Sequence, residues 1–126
     1  MKLIVSFKRK KISIDVKKTG FFRKGFGLML RSRNTSNLLF EFKDFVTWKG
    51  NLTSYFVFFR FLTLWVDNEN KVIDSRVIEP FIFSIKQKNR FCKIIEIPLN
   101  RKNKKLISKF LSKDDFFDYC RRGFFK

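Results

Sequence analysis

The chain contains no histidine, and this limits the chemistry that its other residues can perform. The Ser-His-Asp and Cys-His arrangements need an imidazole, as do the usual zinc and non-haem iron sites. Three carboxylates at the ends of predicted strands remain, namely Asp67, Asp74 and Glu96. Two carboxylates can hydrolyse a glycoside, so a carboxylate-dependent hydrolase is the weakest of three hypotheses. Asp67 and Asp74 flank a predicted hairpin, however, and Glu96 is expected at the surface or in an ion pair, so we predict no catalytic residue.

Arg31 is the polar residue best suited to hold a ligand. A guanidinium on a rigid turn can donate two hydrogen bonds to a carboxylate or a phosphate. Arg31 follows a short apolar segment, and Gly27 and Met29 of that segment complete the candidate ligand-binding set. The alternative is that Arg31 binds backbone carbonyls and holds residues 32–37 against the core, while Met29 fills space in that core. The glycines do not have the spacing of a phosphate-binding loop.

A formal net charge of +18 points towards nucleic acid, an acidic protein or an anionic membrane as partner. Residues 1–24 carry nine Lys and Arg against one Asp, residues 25–85 seven against six acids, and residues 86–126 thirteen against four. The positive charge therefore lies in the two terminal thirds, which form either one basic face or separate solvated loops. The candidate nucleic-acid contacts are Lys8, Arg9, Lys10, Lys11, Arg101, Lys102, Lys104, Lys105, Arg121 and Arg122. Basic residues next to aromatic ones, as in 21–24, 58–61 and 121–126, could also stack on bases.

Two cysteines without histidine cannot form a zinc site, and we predict neither a metal nor a cofactor. Cys92 lies in an apolar run and is expected to be a small buried side chain. No run approaches the ~20 apolar residues of a membrane span, and no signal peptide is evident. These observations predict no transmembrane segment and a cytoplasmic location.

Alternating and aromatic-rich segments predict a mainly β, single-domain fold of 126 residues, an antiparallel sandwich or a barrel-like fold with one or two short helices. A short glycine-loosened helix or turn is predicted after Thr19, and a C-terminal helix between the capping residue Ser112 and Gly123. Residues 67–70 are predicted to form a polar turn. The predicted strands are 3–7, 11–17, 38–42, 54–59, 61–66, 71–78, 81–85 and 91–97.

The order of several short motifs is more specific than the composition. Residues 27–31 read Gly-Leu-Met-Leu-Arg and residues 38–42 read Leu-Leu-Phe-Glu-Phe, and further motifs follow at 57–59, 65–67, 72–74, 80–81 and 95–98. Over roughly residues 12–116, this order resembles the small archaeal and bacterial proteins of the domain of unknown function 192 family. The resemblance implies a mainly β fold and no established activity, and it leaves 117–126 as a basic-aromatic tail or helix end. The chain departs from the family pattern at Arg60, Leu62 and Asn100.

Together these features favour a non-enzymatic binding or interaction module. A nucleic-acid-binding protein without sequence preference, using the basic terminal segments, is the alternative. Its binding should weaken as salt rises.

Overall fold

A computed structural model of the protein describes residues 1–19, 34–46, 58–82, 85 and 87–125. In these residues the fold is mainly β, as predicted, with two sheets and two short helices and without a closed barrel. The strands are β1 Lys2–Phe7, β2 Lys10–Asp15, β3 Lys17–Thr19, β4 Leu38–Val46, β5 Phe61–Val66, β6 Val72–Ile78 and β7 Phe91–Pro98. The helices are α1 Lys104–Ser108 and α2 Lys113–Arg121.

Strands β1 and β2 form an antiparallel hairpin, and the other strands form a five-stranded sheet in the order β3-β4-β7-β5-β6. All pairs in the larger sheet are antiparallel except β3 with β4, which is parallel. The last strand in the sequence, β7, is therefore the central strand of the sheet. Each of its neighbours, β4 and β5, pairs with it over most of its length.

Side chains alternate between the two faces of the larger sheet and build two cores. On the first face, Leu62, Leu64 and Ile95 pack against the hairpin and both helices. On the second face, Phe61 and Trp65 belong to a separate cluster that is rich in aromatic rings. The rest of this second cluster is Leu38, Phe40, Phe42, Phe59, Ile78, Ile85, Phe91 and Ile94. Both faces of the central strands are thus buried.

The turn between β1 and β2 consists of two basic residues with left-handed backbone conformations. Lys8 has φ 48° and Arg9 has φ 67°. Positive φ at both positions is the conformation of a type I′ hairpin turn, which matches the twist of its strands and which Asn and Gly adopt most readily. Here the turn holds two long cations at its tip, and both are exposed.

Helix α2 has the predicted caps at both ends. The Ser112 hydroxyl accepts a hydrogen bond from the Asp115 backbone N–H at 3.2 Å, which satisfies one of the free amides of the first turn. Gly123, with φ 77°, ends the helix. The Phe124 N–H then donates to the Tyr119 carbonyl, and the two rings pack at 5.6 Å, which completes a Schellman motif.

The sequence-based predictions fail in three places among the described residues. Phe58 and Phe59 lie outside any strand. Phe81 and Ile82 do not start a strand either, since Phe81 forms a turn with Pro80. Phe81 has φ 65°, a conformation incompatible with an extended strand, directly after Pro80. The missed helix α1 begins within the basic run that suggested a loop. The predicted helix after Thr19 lies outside the described residues.

Candidate functional site

A polar cleft of about 440 Å³ lies where the hairpin, the start of β3 and the segment before α1 meet. Its polar lining residues include Lys17, Thr35, Ser36, Asn37, Lys102 and Asn103. The volume is in the range of small-molecule sites, although such sites are usually more apolar than this one. No individual motif in the sequence indicated this cleft, because its residues come from four separate segments, namely Met1 and residues 15–17, 35–37 and 102–103.

Two buried asparagines form the floor of the cleft and link three of its segments. The Asn103 side-chain amide donates to Asn37 Oδ1 at 2.9 Å and to the Pro98 carbonyl at 2.9 Å. The Asn37 amide in turn donates to the Asp15 carbonyl at 3.0 Å, and the Asn103 backbone N–H donates to Asn100 Oδ1. Buried amides with their hydrogen bonds made hold a fixed geometry, so the cleft is preorganised.

The charge around the cleft is predominantly positive. Lys17 and Lys102 both line it, and Lys102 Nζ lies 3.4 Å from the Asn34 carbonyl. An ammonium group has three donors, so this single contact leaves Lys102 able to bind a ligand. Asp15, whose side chain is 78% exposed, lies 3.6 Å from the amine of Met1. The lining therefore offers the ammonium groups of Lys17 and Lys102, the Asp15 carboxylate beside the Met1 amine, and several uncharged hydrogen-bonding groups.

The hairpin and α1 form a layer on the first face of the larger sheet. Predicted basic residues lie at both ends of this layer. The Phe7 ring packs on Phe110 at 5.0 Å, so the Lys8-Arg9 turn lies close to the segment that follows α1. At the other end of the hairpin, Lys102 shares the cleft with Asp15. The six residues of β2 separate these ends by roughly 20 Å. The exposed residues of this layer are Lys8, Arg9, Lys10, Lys11, Arg101, Lys102, Lys104 and Lys105.

Arg121 and Arg122, at the end of α2, differ from the other predicted basic residues because both pair with Asp118. The distances are 3.2 Å and 3.8 Å. The aromatic rings beside them are also occupied, since Phe125 is buried and the Arg60 guanidinium lies 3.8 Å from the Phe124 ring centre. The rings of Phe124 and Phe125 are therefore not free for base stacking.

Two of the three candidate carboxylates make structural hydrogen bonds. Asp67 Oδ1 accepts from the backbone N–H groups of Glu69 and Lys71, both at 2.9 Å, and so fixes the predicted polar turn. Asp74 Oδ2 accepts from Arg76 at 3.0 Å and from Gln87 at 2.8 Å. These contacts give both carboxylates a role in holding turns and loops.

Glu96 is buried, and the expectation of a surface residue or an ion pair is wrong. The side chain is 3% exposed and lies in the central strand β7. Burial raises the pKa of its carboxyl group from 4.5 to about 8. Its direct neighbours across the sheet are Thr63 and Leu38, so the described residues place no second carboxylate opposite it.

The prediction for Cys92 is confirmed, whereas the predicted ligand-binding set stays a prediction. Cys92 is buried as predicted, and this burial raises the pKa of its thiol. The predicted ligand-binding residues Gly27, Met29 and Arg31 lie outside the described residues, so that site stays a prediction. Arg31 precedes Asn34, beside the cleft, by three positions in sequence.

These elements define a small β-rich domain with a hairpin and two helices packed on a mixed sheet. The fold is similar to the crystal structure of a protein of unknown function from Novosphingobium aromaticivorans DSM 12444, with a TM-score of 0.62 and 12% sequence identity. The match covers 77% of this chain and 71% of that one, and at this identity it shows a shared fold. No family model and no curated protein match the sequence, so the resemblance to the domain of unknown function 192 family stays a prediction. No helix in the described part of the chain is long and apolar enough to cross a membrane.

Proposed function

We propose that the protein is a non-enzymatic binding module and that its polar cleft holds a small anionic ligand, such as a phosphate or carboxylate group. The observation that carries the proposal is the meeting of Lys17 and Lys102 with the hydroxyls of Thr35 and Ser36 around one preorganised cavity. Ammonium and hydroxyl donors together match the several acceptor oxygens of such an anion.

The cleft is expected to bind ribose 5-phosphate, and Lys102→Gln or Lys17→Gln is expected to weaken that binding about tenfold. Each substitution removes one charge-assisted hydrogen bond, which typically contributes about 1.5 kcal/mol or more. The side-chain amide signals of Asn37 and Asn103 in ¹H–¹⁵N NMR spectra report on the floor of the cleft. Titration at constant ionic strength should shift these signals in a saturable way.

Lys88→Gln is the matched control, because Lys88 is exposed, does not line the cleft and carries the same charge. It should leave the affinity for ribose 5-phosphate unchanged. If Lys88→Gln and Lys102→Gln weaken the binding of ribose 5-phosphate equally, binding depends on net charge, and the proposal that the cleft is the binding site is wrong. Side-chain amide signals of Asn37 and Asn103 that do not shift at a high concentration of ribose 5-phosphate would also contradict this proposal.

Nucleic-acid binding without sequence preference is the second candidate function. It is supported by the exposed cations along the hairpin and α1, which lie in one layer about 20 Å long. A band of this length spans several phosphates of a duplex, whose strands carry one charge about every 3.4 Å.

If this second function is correct, fluorescence anisotropy should show binding to single-stranded and duplex probes that weakens linearly with the logarithm of salt concentration. The slope on duplex is about −0.9 for each phosphate contacted. The double variant Lys104→Gln/Lys105→Gln should therefore make the slope shallower by about 1.8. Lys88→Gln/Lys113→Gln changes the net charge equally and should leave the slope unchanged. No binding at about 0.05 M salt would exclude this function.

A further inference from the structure

Strand β6 is the outermost strand at one edge of the larger sheet, and no other described strand pairs with its outer side. Strand β1 reaches it just before its start, where the Ser6 N–H donates to the Asn70 carbonyl at 2.8 Å. Pro80, which has no N–H, follows the other end. The open stretch of the edge is therefore residues 73–77, all of which are partly exposed. An open edge of this kind can pair with a strand of another chain.

The backbone of this stretch presents hydrogen-bonding groups to the outside. The Ser75 N–H donates to the side chain of Asp74, at 2.8 Å from Oδ1, and so it is directed away from β5. Neighbouring residues of a strand direct their N–H and C=O groups to opposite sides. Val77 therefore also faces away from β5, whereas Asp74 and Arg76 bond to it.

A cleft of about 380 Å³ borders the same stretch, which shows that the edge is accessible there. Ser75, Arg76 and Val77 line it on the side of the sheet. The opposite side consists of Phe110, Leu111, Ser112, Asp115 and Tyr119. Arg76 and Asp115 are the charged residues of this lining, so the described surface beside the edge has no excess of positive charge, although the chain as a whole has a formal charge of +18.

The sequence of the open stretch is complementary to itself when two copies run in opposite directions. On either side of Ser75, the acid Asp74 mirrors the base Arg76, and the apolar Ile73 mirrors the apolar Val77. In an antiparallel pair centred on Ser75, Asp74 of each copy lies opposite Arg76 of the other. Opposite charges at directly paired positions stabilise two strands, and the same patch then serves both copies.

The charges also select this register over its neighbours. Residues that face outwards must pair with residues that face outwards, so the alternative registers are shifted by two residues. One shift sets Arg76 opposite Arg76 of the second copy, and the other sets Asp74 opposite Asp74 of the second copy. Like charges at directly paired positions destabilise two strands.

Both charged side chains can form the additional bonds. They are 32% and 40% exposed for Asp74 and Arg76, and the bond of 3.0 Å between them uses Arg76 Nε, which leaves the terminal N–H groups of the guanidinium. In the pair, the Ser75 N–H exchanges Asp74 Oδ1 for the Ser75 carbonyl of the second copy. That exchange frees Asp74 Oδ1 to accept from Arg76 of the second copy.

We propose that two copies of this chain associate through their β6 strands, which pair in antiparallel fashion about Ser75 and join two five-stranded sheets into one. This surface goes beyond the proposed anion-binding function and does not depend on it.

Sedimentation equilibrium of the full chain at about 0.15 M salt, which limits the repulsion between two positively charged copies, tests the proposal. It should show a monomer–dimer equilibrium with a Kd on the order of 0.1 mM. Asp74→Lys and Arg76→Glu should each weaken this association about tenfold, because each sets like charges opposite one another at two places. Circular dichroism confirms that each variant is folded.

A mixture of Asp74→Lys and Arg76→Glu separates pairing between copies from a role within one copy. In a mixed pair the introduced lysine faces the introduced glutamate, and Arg76 of the first variant faces Asp74 of the second. The mixture should therefore dimerise about as tightly as the wild type, although neither variant does so alone. Loss of a bond within one copy would not be restored by mixing.

Glu41→Lys and Lys18→Glu are the matched controls, because they make the same charge changes at an ion pair of 3.3 Å near the opposite edge of the sheet. Each should associate as the wild type does, and mixing them should add nothing. Ser75→Pro removes an N–H that β5 does not use, so the fold should persist while association is lost. A wild type that stays monomeric at about 1 mM, or a mixture of Asp74→Lys and Arg76→Glu that associates no better than its components, would overturn the proposal.

Discussion

Raising the pH from about 4 to about 9 is expected to destabilise the protein by on the order of 5 kcal/mol through Glu96 alone. The carboxyl group is buried in the central strand, and burial raises its pKa from 4.5 to about 8. One pKa unit corresponds to about 1.36 kcal/mol, which gives this magnitude.

The direction of this change in stability with pH depends on whether the folded or the unfolded state binds the Glu96 proton more tightly. The folded state keeps the Glu96 proton up to about pH 8, whereas the unfolded chain releases it near pH 4.5. Between these values the folded state binds more protons, so the free energy of unfolding falls as pH rises. The stability is fully present below the lower pKa, and above the higher one the loss levels off.

Urea unfolding of the wild type and Glu96→Gln at several pH values between about 4 and about 9 tests this expectation. The difference in unfolding free energy between the two proteins isolates the contribution of this one group from all other titrations. Glu96→Gln should be the more stable protein at the alkaline end. Glu69→Gln is a control, since it removes an exposed carboxylate and should follow the wild type. Parallel curves for the wild type and Glu96→Gln would contradict the prediction.

Asn103→Ala is expected to lower the free energy of unfolding by about 2–4 kcal/mol and to disrupt the polar cleft. The substitution removes the amide that donates to Asn37 Oδ1 and to the Pro98 carbonyl. Both acceptors are then left buried without that donor, at about 1–3 kcal/mol each. The backbone N–H of residue 103 keeps its bond to Asn100.

Chemical denaturation of Asn103→Ala, Asn37→Ala and the double variant measures this effect and its origin. Because the two side chains bond to each other, their effects should not be additive, with a coupling of about 1 kcal/mol. Asn89→Ala, at an exposed position, is the control and should change stability by less than about 0.5 kcal/mol. Asn103→Ala with wild-type stability would show that the floor of the cleft does not depend on this network.

The sequence predicted those parts of the fold in which local patterns decide the structure. Ile12 and Ile14 alternate with exposed residues in β2, and this alternation correctly predicted a strand with one buried face. Ser112 and Gly123 correctly predicted the limits of α2, since capping depends on residues close in sequence.

Local sequence patterns did not predict features that depend on how distant parts of the chain pack together. Glu96 belongs to a central strand that is buried on both faces, and there alternation carries no information about exposure. Helix α1 has only five residues, too few for a periodic signal. The sequence did not predict the cleft, because Lys17, Asn37 and Lys102 come together only through the packing of distant segments.

The place of β7 at the centre of the sheet has a consequence for synthesis of the protein. Strands β4 and β5 are made first, and β5 can pair with β6, but β4 and the β5–β6 pair are joined only when residues 91–98 have been made. Until then, the aromatic faces of both strands lack the strand that joins them. Newly made chains with unpaired strand edges and exposed apolar surface tend to aggregate. The nascent chain is therefore expected to be most prone to aggregation before β7 enters the middle of the sheet.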